Sequence, residues 1–224
     1  MAILGISSAT NSISTALTSG GALLAEITLS GKRAFTEDIV LYVKKMAEES
    51  NAIIDGVAVV AGPGAYSGLR GGLAFAKTFA QVNKISLAAV STLHVLALNL
   101  AGADCLIGAV TDACKDDYNF ALFRSRKGKV ERLTKDLVIH FDKLCGFLSR
   151  IRKEIYLTGN CGEVMAKVAE LNPDTKIAVG HFNIPTGFNT ALIGEKMIRE
   201  GKISDPLKLM PNYSHDPNIR EFKT

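Results

Sequence analysis

One order of elements occurs twice along the chain, and it restricts the possible folds more than any other feature of the sequence. In the first half, "AILGI", "SISTALT" and "ALLAEITL" predict three strands, the last two joined by an "SGG" turn. A helix follows from Glu37 to Glu49, with Ile39, Val40, Val43, Met46 and Ala47 at helical spacing. "GVAVV" predicts a buried strand, Leu69 to Gln81 a helix, "SLAAV" a strand, and "TLHVLALNLA" a helix capped by Ser91 or Thr92. In the second half, "CLIGAVT", "YNFALFRS" and "VERLT" are the strands, and Asp142 to Arg152 the first helix. "EIYLTG", the helix Gly162 to Leu171, "KIAV" and a last helix from Thr190 to Glu200 complete the second βββαβαβα.

Strands able to pair antiparallel, followed by alternating helices and strands, give a mixed sheet with a helix-covered face. Two such units predict an α/β protein with the duplicated actin-like ATPase fold (ASKHA, RNase H-like), as in actin, hexokinase and Hsp70. Residues 1–103 would form an N-terminal, partner-binding lobe and residues 104–206 a C-terminal lobe, hinged near Gly102 to Asp104. The segment 207–224 has no regular period and is expected to pack back on a lobe.

The 224 residues suffice for such a core, and 47% hydrophobic with 21% charged residues is an ordinary globular composition. A net charge of +4 permits an anionic partner without arguing for direct nucleic-acid binding. The cysteines Cys105, Cys114, Cys145 and Cys161 form no CxxC pair, which fits reduced thiols in a cytoplasm. The apolar start is too short, and lacks the basic flank, to be read as a signal peptide; no run is long enough for a membrane span.

Between "GVAVV" and the next helix lies "AGPGAYSGLRGG", Ala61 to Gly72, which is neither a Walker loop nor a dinucleotide fingerprint. Gly62 and Gly64 would let the backbone approach a partner closely, and Pro63 would stiffen the turn. The amides of Gly68 to Arg70 would open a helix and, with Arg70 and Ser67 beside them, offer a phosphate or carboxylate a partly positive end. The alternative is that the glycines serve a tight turn and close packing, with Arg70 paired locally. Tyr66 and Arg70, an aromatic beside an arginine on a rigid loop, are assigned to partner contact.

In actin-like ATPases the first turn of each half faces the cleft, with a carboxylate holding hydrated magnesium. Here the first turn, "ISSATNS", has Ser7 at that place with Thr10 beyond it, and only the second, "VTDACKDD", offers Asp112. Half of the carboxylate pair is missing, which weighs against autonomous ATP hydrolysis. As a strand-end aspartate, Asp112 is more commonly a turn or cap residue than a ligand.

"MAILGISSAT", "GVAVVAGPGAYSGLRGGLAFAKTFA" and "AAVSTLHVLA" resemble the TsaB (YeaZ-like) family. The family motif G-P-G-S-[FY]-T-G-[LV]-R-[IV]-G is matched at Gly62, Pro63, Gly64, Tyr66, Gly68, Leu69, Arg70 and Gly72, while Ala65, Ser67 and Gly71 depart from it. The likeness thins to "DACKDDYNFALF", where Cys114 replaces a family arginine, and to "LMPNYSHDPN", where Ser214 and His215 stand near the place of the last one.

The resemblance implies a noncatalytic partner of TsaD, the subunit that forms threonylcarbamoyladenosine at position 37 of ANN-decoding tRNAs. It implies a heterodimer through the N-terminal lobe, joined by the ATPase TsaE and supplied by a TsaC-type enzyme. It also implies homodimers when the protein is alone. No intrinsic cofactor is implied, with ATP or ADP admissible at the partner interface, and tRNA is met indirectly.

The first alternative is a small-molecule kinase or ATPase of this fold; the second, a glycoprotease-like (M22) peptidase, is disfavoured. His94, His140, His181 and His215 are too scattered for HxxxH or HExxH, and no G-x-S-x-G elbow occurs. The apolar stripe of the Glu37 helix reads as core unless a second apolar patch lies outside it. Lys44, Lys45, Glu48 and Glu49 read as a solvated face, and Cys105, Cys161 and His94 as interior residues. Arg124, Arg126, Lys127, Lys129 and Arg132 surround a hairpin and read as a charged strand edge in preference to a tRNA contact.

Overall fold

Strands β1 (Ala2–Ser7), β2 (Ser12–Ser19) and β3 (Ala22–Ser30) form an antiparallel meander because each apolar run ends in small or polar turn residues. The computed structural model describes residues 1–31 and 36–215. Helix α1 (Ile39–Ser50) leads to β4 (Ile54–Gly62), α2 (Tyr66–Asn83), β5 (Ser86–Ser91) and α3 (Thr92–Leu98). The first sheet runs β3-β2-β1-β4-β5, with β4 parallel to both β1 and β5.

The second half supplies β6 (Leu106–Asp112), β7 (Asp117–Arg126), β8 (Lys129–Arg132), β9 (Leu137–His140) and α4 (Phe141–Leu148). Then come β10 (Ile155–Gly159), α5 (Gly162–Leu171), β11 (Thr175–Ile177) and α6 (Gly187–Arg199). Its sheet runs β11-β10-β6-β7-β8, the first sheet's order and pairing repeated. The duplicated actin-like fold is therefore present as the element order predicts.

Five readings need correction. Helix α2 begins at Tyr66 rather than Leu69, α4 ends at Leu148, and α6 begins at Gly187, where the Thr186 hydroxyl caps it by accepting from the Asn189 amide at 3.1 Å. Strand β9 lay unassigned in the sequence. It continues the line of β8 along β7 after a bulge at residues 133–136, so the polar "TKD" is an interruption of one edge strand. Finally, each sheet is covered on both faces rather than one.

That coverage explains the continuous apolar runs of β1 and β4. Leu4, Ile6, Val57 and Val59 pack beneath α1 and α2, while Ile3, Ala58 and Val60 face α6. In the second sheet, Phe120 and Leu157 face α4 and α5, whereas Ile107, Ala121 and Phe123 face α3. The two sheets fall on either side of residues 99–105 in the chain, but the helices are exchanged across that segment. Helix α3 packs on the second sheet, and α6 crosses back to the first, where Gly194 lies against Ala58 without room for a side chain. The Asn189 amide group donates to the Asn99 side chain at 2.6 Å, joining the two exchanged helices. Among the described residues, no helix is long and apolar enough to cross a membrane.

Candidate functional site

The glycine loop leaves β4 at Gly62 with φ +124°, a conformation reserved in practice for glycine, and the Gly62–Pro63 peptide is cis. Three of its backbone polar groups are taken by the protein itself. The Ala65 amide donates to the Ala9 carbonyl at 2.7 Å, the Ser8 hydroxyl to the Gly68 carbonyl at 2.8 Å, and the Thr92 hydroxyl to the Pro63 carbonyl at 2.6 Å. Gly68 and Gly72, four apart on α2, share one face, and Gly64 lies just before the helix. An added Cβ would collide with Ala9 at Gly64, with the Ser8 carbonyl at Gly68 and with the Ser8 hydroxyl at Gly72. At Gly62 it would collide with Asn212. Close packing against the β1–β2 turn and the tail thus accounts for these four glycines. Ser91 rather than Thr92 caps α3, accepting from the His94 amide at 3.4 Å.

Tyr66 opens α2 and remains 47% exposed. The Arg70 guanidinium donates to the Tyr66 hydroxyl at 2.7 Å and lies 5.1 Å from the ring centroid, while Ser67 is exposed beside them. The Tyr66 ring is not free: Tyr213 stacks on it with centroids 4.9 Å apart. Between α2 and residues 206–213 runs a groove of about 600 Å³, lined by Arg70, Leu73, Ala74, Lys77, Leu207 and Met210.

The tail joins the two lobes. The Asn212 amide donates to the Ala61 carbonyl at 2.7 Å in the first lobe. The Ser214 hydroxyl donates to the Asn119 side chain at 2.6 Å, and His215 lies 3.5 Å from the Asp117 carboxylate, both on β7. Of "LMPNYSHDPN", residues 216–218 lie outside the described residues, as does the rest of the chain after them.

At the first turn, Ser7 is fully buried and its hydroxyl has no partner, and Thr10 shares a 2.8 Å hydrogen bond with Ser12. At the second, one Asp112 oxygen accepts the Cys114 amide at 2.8 Å, the turn role. Cys114, Lys115 and Asp116 all hold left-handed φ of 57° to 68° there. As placed, these residues do not fit a two-carboxylate grip on hydrated magnesium. Among the described residues, no three His, Cys, Asp or Glu side chains gather as a metal site. Burial pushes the Cys161 thiol up to about 12 and raises Cys105 and Cys145, leaving none of the three poised as a thiolate.

Two features carry more than the sequence disclosed. Arg132 is no free edge cation: it pairs with Asp136, donates to the Ser91 hydroxyl at 3.0 Å and lies 4.7 Å over the Phe123 ring. Asp136 also accepts from Ser91 at 2.8 Å, so the bulge that interrupts the edge strand makes a second link between lobes. On α1, Ile39, Val43 and Met46 enter the core, while Val40 and Leu41 stand 61% and 62% exposed. A second apolar patch does lie outside the core stripe. Lys44 and Glu48, 3.8 Å apart and well exposed, form the solvated face.

Against known proteins, residues 22–198 match the family model described as TsaD: tRNA N6-adenosine threonylcarbamoyltransferase. A curated relative, the tRNA threonylcarbamoyladenosine biosynthesis protein TsaB of Bacillus subtilis (strain 168), is 27% identical over 159 residues, 70% of this chain and 68% of its own. YeaZ from Pseudomonas aeruginosa superposes with a TM-score of 0.75 at 18% identity, covering 95% of this chain and 99% of its own. ROK hexokinase from Thermus thermophilus shares the fold at a TM-score of 0.51 and 11% identity, with 90% and 100% coverage.

Proposed function

The chain belongs to the TsaD tRNA N6-adenosine threonylcarbamoyltransferase family, in its TsaB (YeaZ-like) branch, and from that premise we propose that it is a noncatalytic partner of TsaD in forming threonylcarbamoyladenosine on tRNA. The exposed Val40–Leu41 face of α1 carries this reading. Apolar side chains held outward on a helix whose opposite face is already packed have reason to be there if another protein covers them. A heterodimer through the first lobe would bury them, and the same face would serve a homodimer in the absence of TsaD. TsaE and a TsaC-type enzyme complete the assembly in a cytoplasmic setting. Arg70 and Lys77, beside the groove along α2, could receive the phosphates of ATP or ADP once a partner closes it.

Ser7 supports the noncatalytic part of the proposal, because a buried hydroxyl cannot replace a magnesium-binding carboxylate. Reconstitution with TsaD, TsaE, a threonylcarbamoyl-adenylate source and unmodified tRNA tests the proposal. Product formation should rise when this chain is added, and the chain alone should not turn over ATP with magnesium. Rapid turnover of ATP by the isolated chain would favour the kinase alternative that the hexokinase-like fold keeps open.

A further inference from the structure

One end of the second sheet gathers cations that have no partners among the described residues. Arg124 and Arg126 lie two residues apart on β7 and share the face of Phe120, exposed at the strand's end, with Phe123 and Ser125 buried on the other face. Lys153 approaches from the loop between α4 and β10. Together they rim a cavity of about 330 Å³ floored by Cys105 and Leu106. Among the described residues, none of the three makes a side-chain hydrogen bond or an ion pair. Both carboxylates at the cavity are engaged: Asp104 accepts the Lys127 amide at 2.7 Å, and Glu154 pairs with Lys176 at 2.5 Å. Lys127 and Lys129 extend the positive surface along the hairpin.

Blunting of a strand edge accounts for Lys129 on β8, but not for Arg124, since β7 is flanked by β6 and β8. Nor does it account for Lys153, which is outside the hairpin. We propose that this end of the second lobe binds the phosphodiester backbone of a structured RNA directly; the choice of RNA rests on the tRNA-modification reading above. Arginines two apart on a strand are spaced by about 6.8 Å, comparable with successive phosphates along a nucleic-acid strand. Guanidinium groups without carboxylate partners suit phosphate oxygens. No aromatic side chain lines the cavity, so it offers backbone contact to a duplex rather than a stacking platform for splayed bases.

The test is fluorescence anisotropy of an unmodified tRNA transcript with the full chain alone, across a salt series. The triple variant Arg124→Gln/Arg126→Gln/Lys153→Gln should bind at least about tenfold more weakly near 100 mM salt, and its salt slope should be shallower by about 2 to 3. The charge-matched control Lys143→Gln/Lys167→Gln/Lys196→Gln should stay within about twofold of the parent. Thermal melts of both variants identify any loss of folding. Absence of binding by the parent chain, or equal weakening in both variants, would overturn the proposal. So would a site variant that keeps its RNA affinity but loses TsaD, which would make the patch a protein interface. Because the RNA arm contains no TsaD, it fails or succeeds independently of the TsaD-partner reading.

Discussion

Tyr66 on α2 and Tyr213 on the tail lie ring against ring, centroids 4.9 Å apart and planes 26° from parallel. Two residues beyond, the tail reaches Asp117 in the other lobe, so this stack anchors one end of an interlobe strap. Tyr213→Ala removes the anchor and should cost about 1 to 2 kcal/mol. Amide exchange should speed up both at Ala61 to Tyr66 and at Asp112 to Asn119. Faster exchange at the first segment alone would mean that the tail does not couple the lobes.

The every-fourth glycines make a second prediction. Gly68→Ala forces a methyl group into the Ser8 carbonyl and should destabilise by about 1 to 3 kcal/mol, lowering Tm by several degrees. Gly102→Ala, with open space around it, is the control. Equal Tm values for the two variants would show that the loop is not closely packed.

How much of this could be read from the sequence depends on how local each cause is. The strand and helix order was legible because each element carries its own period, and the α3 cap was narrowed to Ser91 or Thr92 because capping is decided within a turn. The exchange of α3 and α6 was not legible, since an apolar helix stripe does not say which sheet it meets. The bulge at residues 133–136 resembled a strand end for the same reason: its purpose, aiming Asp136 at Ser91 and Arg132, is set by a residue in the other lobe. Gly64, Gly68 and Gly72 were visible as a motif, yet both readings of them needed the position of Ser8 to be separated. Tyr66 and Arg70 were read as exposed residues on a rigid loop; they are exposed, but they stand in the first turns of α2, and the stacking of Tyr66 on Tyr213 depends on a tail without periodic signal.

Ser7 tests the first turn. Its buried hydroxyl has no partner, so Ser7→Ala should be neutral or stabilising by up to about 1 kcal/mol. Ser7→Asp, which restores the carboxylate of related ATPases, should instead destabilise by several kcal/mol, on the order of 3, because the charge would be buried without a counterion. A stable Ser7→Asp protein that binds magnesium would contradict the burial on which this prediction depends.

His94 should make stability depend on pH. Burial, aided by the Arg132 charge and opposed by Asp136, pushes its imidazole down from 6.5 to about 4. In that window the unfolded chain binds the proton that the folded one refuses, so stability is retained above pH 6.5 and falls as the pH drops toward 4. The slope for one proton is at most about 1.4 kcal/mol per pH unit. His94→Phe should flatten the curve between pH 6.5 and 4.5 relative to the parent; superimposable slopes would place the pH response elsewhere.

The central claim is that a TsaD partner covers the outer face of α1, and calorimetric titration of the chain with TsaD measures it most directly. Leu41→Asp, combined with Val40→Asp, should weaken binding at least about a hundredfold without shifting Tm, because both side chains already stand in solvent. Unchanged affinity in the double variant, or no heat of binding from the parent chain, would contradict it.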